Sequence, residues 1–244
     1  MATDFFSGVV ALALYYLVFL LLLPTLLKVW AGLPNELVRK IQHVIYSLSV
    51  FLMLELFSAW YLAIGAAFLL ALLGFPVLFY LEKTAWYKKT FVDRAAGGGE
   101  LRKQLLYVQL AFAVLIFIFW GMFGARWHYV VAVAVMAWGF GDAAAALVGK
   151  AFGRRRVLHR FIEGAKTLEG TGAMIVFAGL AIFFTLLIYA GKTWYLSLLI
   201  AALVAPVCGI IELFSRKGTD TLTVPIAAAA LIAPLMHLFT VLGW

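Results

Sequence analysis

The chain is expected to be an all-α, polytopic membrane protein: about eight transmembrane helices in one bundle, with both termini facing away from the cytoplasm. Three observations predict this. Of 244 residues, 66% are apolar and only 12% charged, against roughly 25% charged in a soluble domain, and the mean hydropathy is +1.07. Eight apolar runs come close to the ~20 residues needed to cross a bilayer. Finally, 17 of the 19 Lys and Arg residues fall in alternate connections, the asymmetry that marks cytoplasmic loops.

The runs are Phe5–Leu27, Ile41–Phe57, Ala59–Leu81, Leu105–Phe123, Tyr129–Val148, Thr171–Ala190, Trp194–Leu213 and Thr223–Leu242. The first has no basic segment before it and is longer than a signal-peptide core, so it reads as a retained span. The second is short and lies a residue or two from the third, which predicts a tight helical hairpin. Only Arg126 and Lys192 break the charge pattern. No polar stretch is long enough for a separate soluble domain, so residues 1–244 read as one integral-membrane domain. Cys208 is the single cysteine, which excludes an internal disulfide and a cysteine-rich metal site. Between the third and fourth spans, Glu82–Arg94 mixes Trp86, Tyr87 and Phe91 with lysines, the composition of a short helix lying in the headgroup layer. Gly97, Gly98 and Gly99 follow as its flexible exit, with no phosphate-loop spacing around them.

The unusual polar residues gather at the basic, cytoplasmic connections. In NELVRKIQH, Glu36, Arg39, Lys40 and His43 are three or four apart, so a helix places them on one face. That face reads equally as a basic anchor, with Glu36 pairing to Lys40, or as part of a site. Asp142 lies near the end of an apolar helix, above a strip of small residues that includes Ala145, Ala146 and Gly149, where a ligand or helix can come close. A carboxylate near hydrocarbon costs several kcal/mol unless compensated, which leaves a structural pair with a lysine or a functional acid. Gly139 and Gly141 are not a dinucleotide fingerprint, because no strand precedes them.

Lys166, Glu169, Gly170 and Ala173 repeat the pattern at the next helix start, where unpaired N–H groups favour phosphate oxygens. There Glu169 could equally compensate the helix dipole. Arg154, Arg155 and Arg156 serve phosphate neutralisation, topology, or both. In ELFSRKGTDTLTVP, Glu212, Ser215, Gly218, Asp220 and Pro225 surround a glycine turn that could hold a hard cation through oxygen ligands or be a solvated cap. Several carboxylates, a surplus of cations (net charge +8) and no Ser-His or Cys-His pattern make the kit for phosphoryl or nucleotidyl transfer.

At these residues the chain resembles the polyprenol kinase family, which groups dolichol kinases, phytol and farnesol kinases and CTP-dependent diacylglycerol kinases. The matching pieces are ELVRKIQH at Glu36–His43, GDAAAALVGKAFGRR at Gly141–Arg155, KTLEG at Lys166–Gly170 and ELFSRKGTDTLTVP at Glu212–Pro225. They occur in the family's order. Thr221 departs from it, since the family usually has asparagine after the aspartate. The resemblance implies transfer of the γ-phosphate of CTP, with Mg2+ or another divalent cation, to an isoprenoid alcohol of the phytol, farnesol or polyprenol type at the cytoplasmic face. It implies Asp142, Lys166, Glu169, Glu212 and Asp220 as catalytic residues. Arg39, Lys40, His43, Gly149, Lys150, Gly153, Arg154, Lys166, Thr167 and Gly170 would bind the nucleotide, and Asp142, Glu169 and Asp220 the metal. Asp220 or Glu212 would be the general base. The expected partners are the lipid bilayer, the lipid alcohol and CTP, with no nucleic acid and with oligomeric state open.

Three rivals differ in substrate or class. A CTP-dependent diacylglycerol kinase or a lipid-phosphate cytidylyltransferase needs a similar set of residues, and a transporter would place its polar groups near mid-membrane, often beside broken helices. Here the charges gather at one face, and Glu55, near the opposite end of the second span, is the main exception. On the sequence alone, Asp142→Asn and Lys166→Ala are expected to abolish product formation in a protein that still folds.

Overall fold

The computed structural model describes residues 2–90, 99–158, 160, 162, 166–215 and 219–242. Phe91, Arg94, Gly97, Gly98 and Gly218, named above, lie outside the described residues. The described chain is helical apart from one isolated antiparallel bridge between Arg156 and Thr167. In order it forms α1 (Ala2–Tyr15), a π-helical segment (Tyr16–Leu22), α2 (Leu23–Val29), α3 (Asn35–Glu55), α4 (Trp60–Leu81), α5 (Ala85–Thr90) and α6 (Glu100–Leu115). A second π-helical segment (Ile116–Met122) and a 3-10 turn (Ala125–Trp127) lead to α7 (His128–Phe152). Then come α8 (Leu168–Phe184), its π-helical continuation (Thr185–Tyr189), α9 (Trp194–Phe214) and α10 (Asp220–Val241).

Eight of these stretches are long and apolar enough to cross a membrane, as expected, but their ends differ from the apolar runs. The second span begins at Asn35, the fifth runs to Phe152 and the last begins at Asp220. Hydropathy stops at the first charge, whereas the backbone ladder continues for as long as each N–H finds its carbonyl. Helix α5 occupies the middle of the segment expected to lie in the headgroup layer.

The described residues divide into two compact units, 1–117 and 118–244. In the first, α3 buries a polar face. Gln42 donates to Leu20 O of the π-helical segment at 2.8 Å. Gln109 donates to the hydroxyls of Tyr16 (3.3 Å) and Tyr46 (3.2 Å). Such bonds act as glue between helices that share no hydrophobic drive in lipid.

The second unit is built around α7, whose residues Val130 to Trp138 are all buried. A helix that is apolar all round belongs inside other helices. Small residues let α7 and α8 approach: a β-carbon added at Gly170 would lie 2.9 Å from Ala145 O and 3.3 Å from the Gly149 α-carbon. Because the obstacle at Gly170 is backbone, Gly170→Ala is expected to lower stability by about 1–3 kcal/mol, read as an earlier thermal midpoint in detergent. Gly172→Ala, with nothing within 4 Å of its added carbon, serves as the neutral control.

Candidate functional site

The second unit brings four helix ends into one neighbourhood: the second half of α7, the start of α8, the end of α9 and the start of α10. Helix α7 ends at Gly153, whose N–H closes onto Gly149 O at 3.1 Å. The chain leaves in an extended conformation and returns beside itself, with Val157 N donating to Lys166 O (2.9 Å) and Leu168 N to Arg155 O (3.0 Å). Thr167 then caps α8, its hydroxyl accepting from Gly170 N at 3.1 Å. The cap satisfies one of the orphan donors of the first turn. Gly149 and Gly153 both face the Thr167 side chain, so Gly149, Gly153, Thr167 and Gly170 form the junction between the two helices.

Glu169 faces back across this junction. Its carboxylate accepts the backbone N–H of Arg154 (3.2 Å) and that of Arg155 (3.2 and 3.3 Å to its two oxygens). It therefore clasps the segment that leaves α7, beside the exposed side chains of Arg154, Arg155 and Arg156. Lys150, one turn earlier on α7, is also exposed. The result is a cationic rim above the helix ends.

Lys166 has a different use. Its ammonium donates to the carbonyls of Glu212 and of Ser215 (3.1 Å) and pairs with the Glu212 carboxylate at 3.0 Å. Three donors thus meet three acceptors. Two of those acceptors are carbonyls at the negative end of α9, where a cation is favoured. Lys166 and Glu212 are each largely buried, with side chains 21% and 12% exposed. The pair ties the start of α8 to the end of α9.

Asp220 opens α10. Its Oδ2 accepts the indole N–H of Trp138 at 3.4 Å, and Trp138 is fully buried on α7. Asp142 follows Trp138 by one turn, so the two aspartates lie along the same flank of α7. Asp142 was expected near the end of its helix, but α7 continues ten residues further, about 15 Å of helix, because Lys150 does not interrupt it. Both aspartates are half-buried.

Arg39, Lys40 and His43 belong to the first unit. There Arg39 pairs with Glu36 at 2.6 Å, Lys40 is buried, and the His43 Nδ1 meets Gln104 Nε2 at 3.2 Å. Glu36 thus forms an ion pair with Arg39, three residues on. Sequence reasoning missed Trp138 and Ser215 as partners of charged groups and Gln104 as a partner of His43. For Trp138 a signal existed, since a buried indole N–H requires an acceptor.

Among the described residues, no three His, Cys, Asp or Glu side chains gather as a metal-holding group. Mg2+, however, is commonly held by one or two carboxylates together with substrate phosphates. The Asp142 carboxylate, in the second half of α7 and half-buried, is an oxygen donor of the type such a cation takes.

No family model and no solved structure matches the chain. It is 30% identical over 227 residues to a phytol kinase from Synechocystis sp., an alignment covering 90% of this chain and 88% of that protein. The relationship spans nearly both full lengths, and with it the chain belongs to the polyprenol kinase family.

Proposed function

We propose that the protein is a CTP-dependent kinase that transfers the γ-phosphate to the hydroxyl of an isoprenoid alcohol of the phytol, farnesol or polyprenol type. The observation that carries this reading is its near full-length relationship to a phytol kinase. The geometry of the second unit supports it, with acids on one flank of α7 and cations above them.

In this reading the cytoplasmic face holds the chemistry, because the basic connections adjoin these helix ends, and both termini lie on the other side. Lys150 and Arg154 draw the triphosphate to the rim. Gly149 and Gly170 keep the α7–α8 junction slim enough for phosphate to approach. Glu169 holds the Arg154–Arg155 backbone in place. A divalent cation, when bound, would neutralise charge developing on the β- and γ-phosphate oxygens, and Asp142 is the residue that would hold it. Asp220 accepts the hydroxyl proton as the alcohol oxygen bonds to the γ-phosphorus and the bond from that phosphorus to the β-bridging oxygen breaks, releasing CDP. Lys166 and Glu212 act from behind by fixing the end of α9, so neither is assigned to a reacting atom.

Purified protein given CTP labelled at the γ- or the α-phosphate, with a panel of lipid alcohols, tests this reading. Label from the γ position in an isoprenoid phosphate is the expected result. Label from the α position would identify a cytidylyltransferase, and phosphorylation of diacylglycerol alone would shift the acceptor class. Equal or better use of ATP would remove the cytidine preference.

A further inference from the structure

We propose that Trp138 is a positioning residue: its buried indole N–H holds the Asp220 carboxylate in the orientation needed to receive the proton of the acceptor hydroxyl. This rests on the role given to Asp220 in the preceding section.

The inference starts from the pairing itself. Trp138 is 1% exposed and sits on the most enclosed stretch of α7, while Asp220 is the first residue of α10. Packing alone would be met by phenylalanine, which asks for no acceptor. An indole N–H buried here must find one, and a backbone carbonyl or a hydroxyl would serve at lower cost than a carboxylate near hydrocarbon. The chain nevertheless brings an acid to this donor. The arrangement makes sense if the acid is the group that needs holding.

An indole is well suited to that task. It donates and cannot accept, so it engages Oδ2 without taking part in proton transfer. Being neutral, it orients the carboxylate without adding a charge of its own. Its wide ring, fixed between helices, has few ways to move. Orientation of a reacting group within about an ångström can decide a 100-fold difference in rate.

The cleanest test replaces Trp138 by an isostere in which sulfur stands where the indole N–H was, keeping shape and removing only the donor. Trp138→Phe and Trp138→His accompany it, and Asp220→Asn is assayed in parallel. The expected result for the isostere is a kcat lower by about 10- to 100-fold, with KM for nucleotide and for alcohol and the thermal midpoint unchanged. Trp138→His, which restores a ring N–H, should recover part of the loss seen in Trp138→Phe. An isostere with wild-type turnover would overturn the proposal and leave Trp138 a packing residue, as would a fall in stability with no change in kcat. If Asp220→Asn itself turns over normally, the role of Asp220 fails instead, and the two failures are told apart.

Discussion

Asp142→Asn and Asp220→Asn are each expected to reduce phosphoryl transfer to below about one hundredth of wild type, the scale on which acid–base and charge-stabilising groups act, with little change in thermal midpoint. The change removes a charge and almost no volume, and asparagine can still accept from Trp138 at position 220. Both residues are half-buried, so losing the charge should cost no packing. The two variants should separate in their kinetics. Asp142→Asn should raise the concentration of divalent cation needed for half-maximal rate, whereas Asp220→Asn should lower kcat at saturating cation. Wild-type turnover by either would remove that aspartate from the mechanism.

Lys166→Ala is expected to damage stability as well as activity, and this differs from what the sequence alone suggests. The ammonium serves two carbonyls at the end of α9 and the Glu212 carboxylate. Removing it leaves a largely buried charge unpaired and takes a donor from two helix-end carbonyls, of which Glu212 O keeps the Ser215 N–H. Stranding partners in this way costs about 2 kcal/mol or more, seen as a thermal midpoint earlier by about 5 °C. The Lys166→Ala, Glu212→Gln double variant should be less destabilised than the sum of the single ones, because the stranded charge is gone; a coupling of about 1 kcal/mol or more is expected for groups in direct contact. Additive effects would mean that the pair contributes nothing as a pair. A Lys166→Ala protein as stable as wild type but inactive would return Lys166 to the phosphate itself.

The contrast between these two predictions reflects what a linear chain carries. Asp142 and Lys166 stand out equally in the sequence, since each is a charge beside an apolar span. Asp142 lies in the second half of α7, while Lys166 is held at the end of a helix 46 residues away. Glu169 is a similar case: the choice between dipole compensation and metal binding gains a third answer in the Arg154 and Arg155 amides. Glu36 meets Arg39, because on a helix a residue three positions on is as near as one four positions on. Gly149 and Gly170 stand on the two sides of a single helix junction.

The eight spans were readable from the amino acids alone, and so was the gathering of charge at alternate connections. Both follow from the transfer free energy of each residue between water and lipid, a local quantity that adds along the chain. Tertiary structure alone decided which carboxylate meets an ammonium, which meets backbone amides and which meets the indole of Trp138. Those outcomes depend on distances of a few ångströms between helices far apart in sequence, and no sum over neighbouring residues contains them.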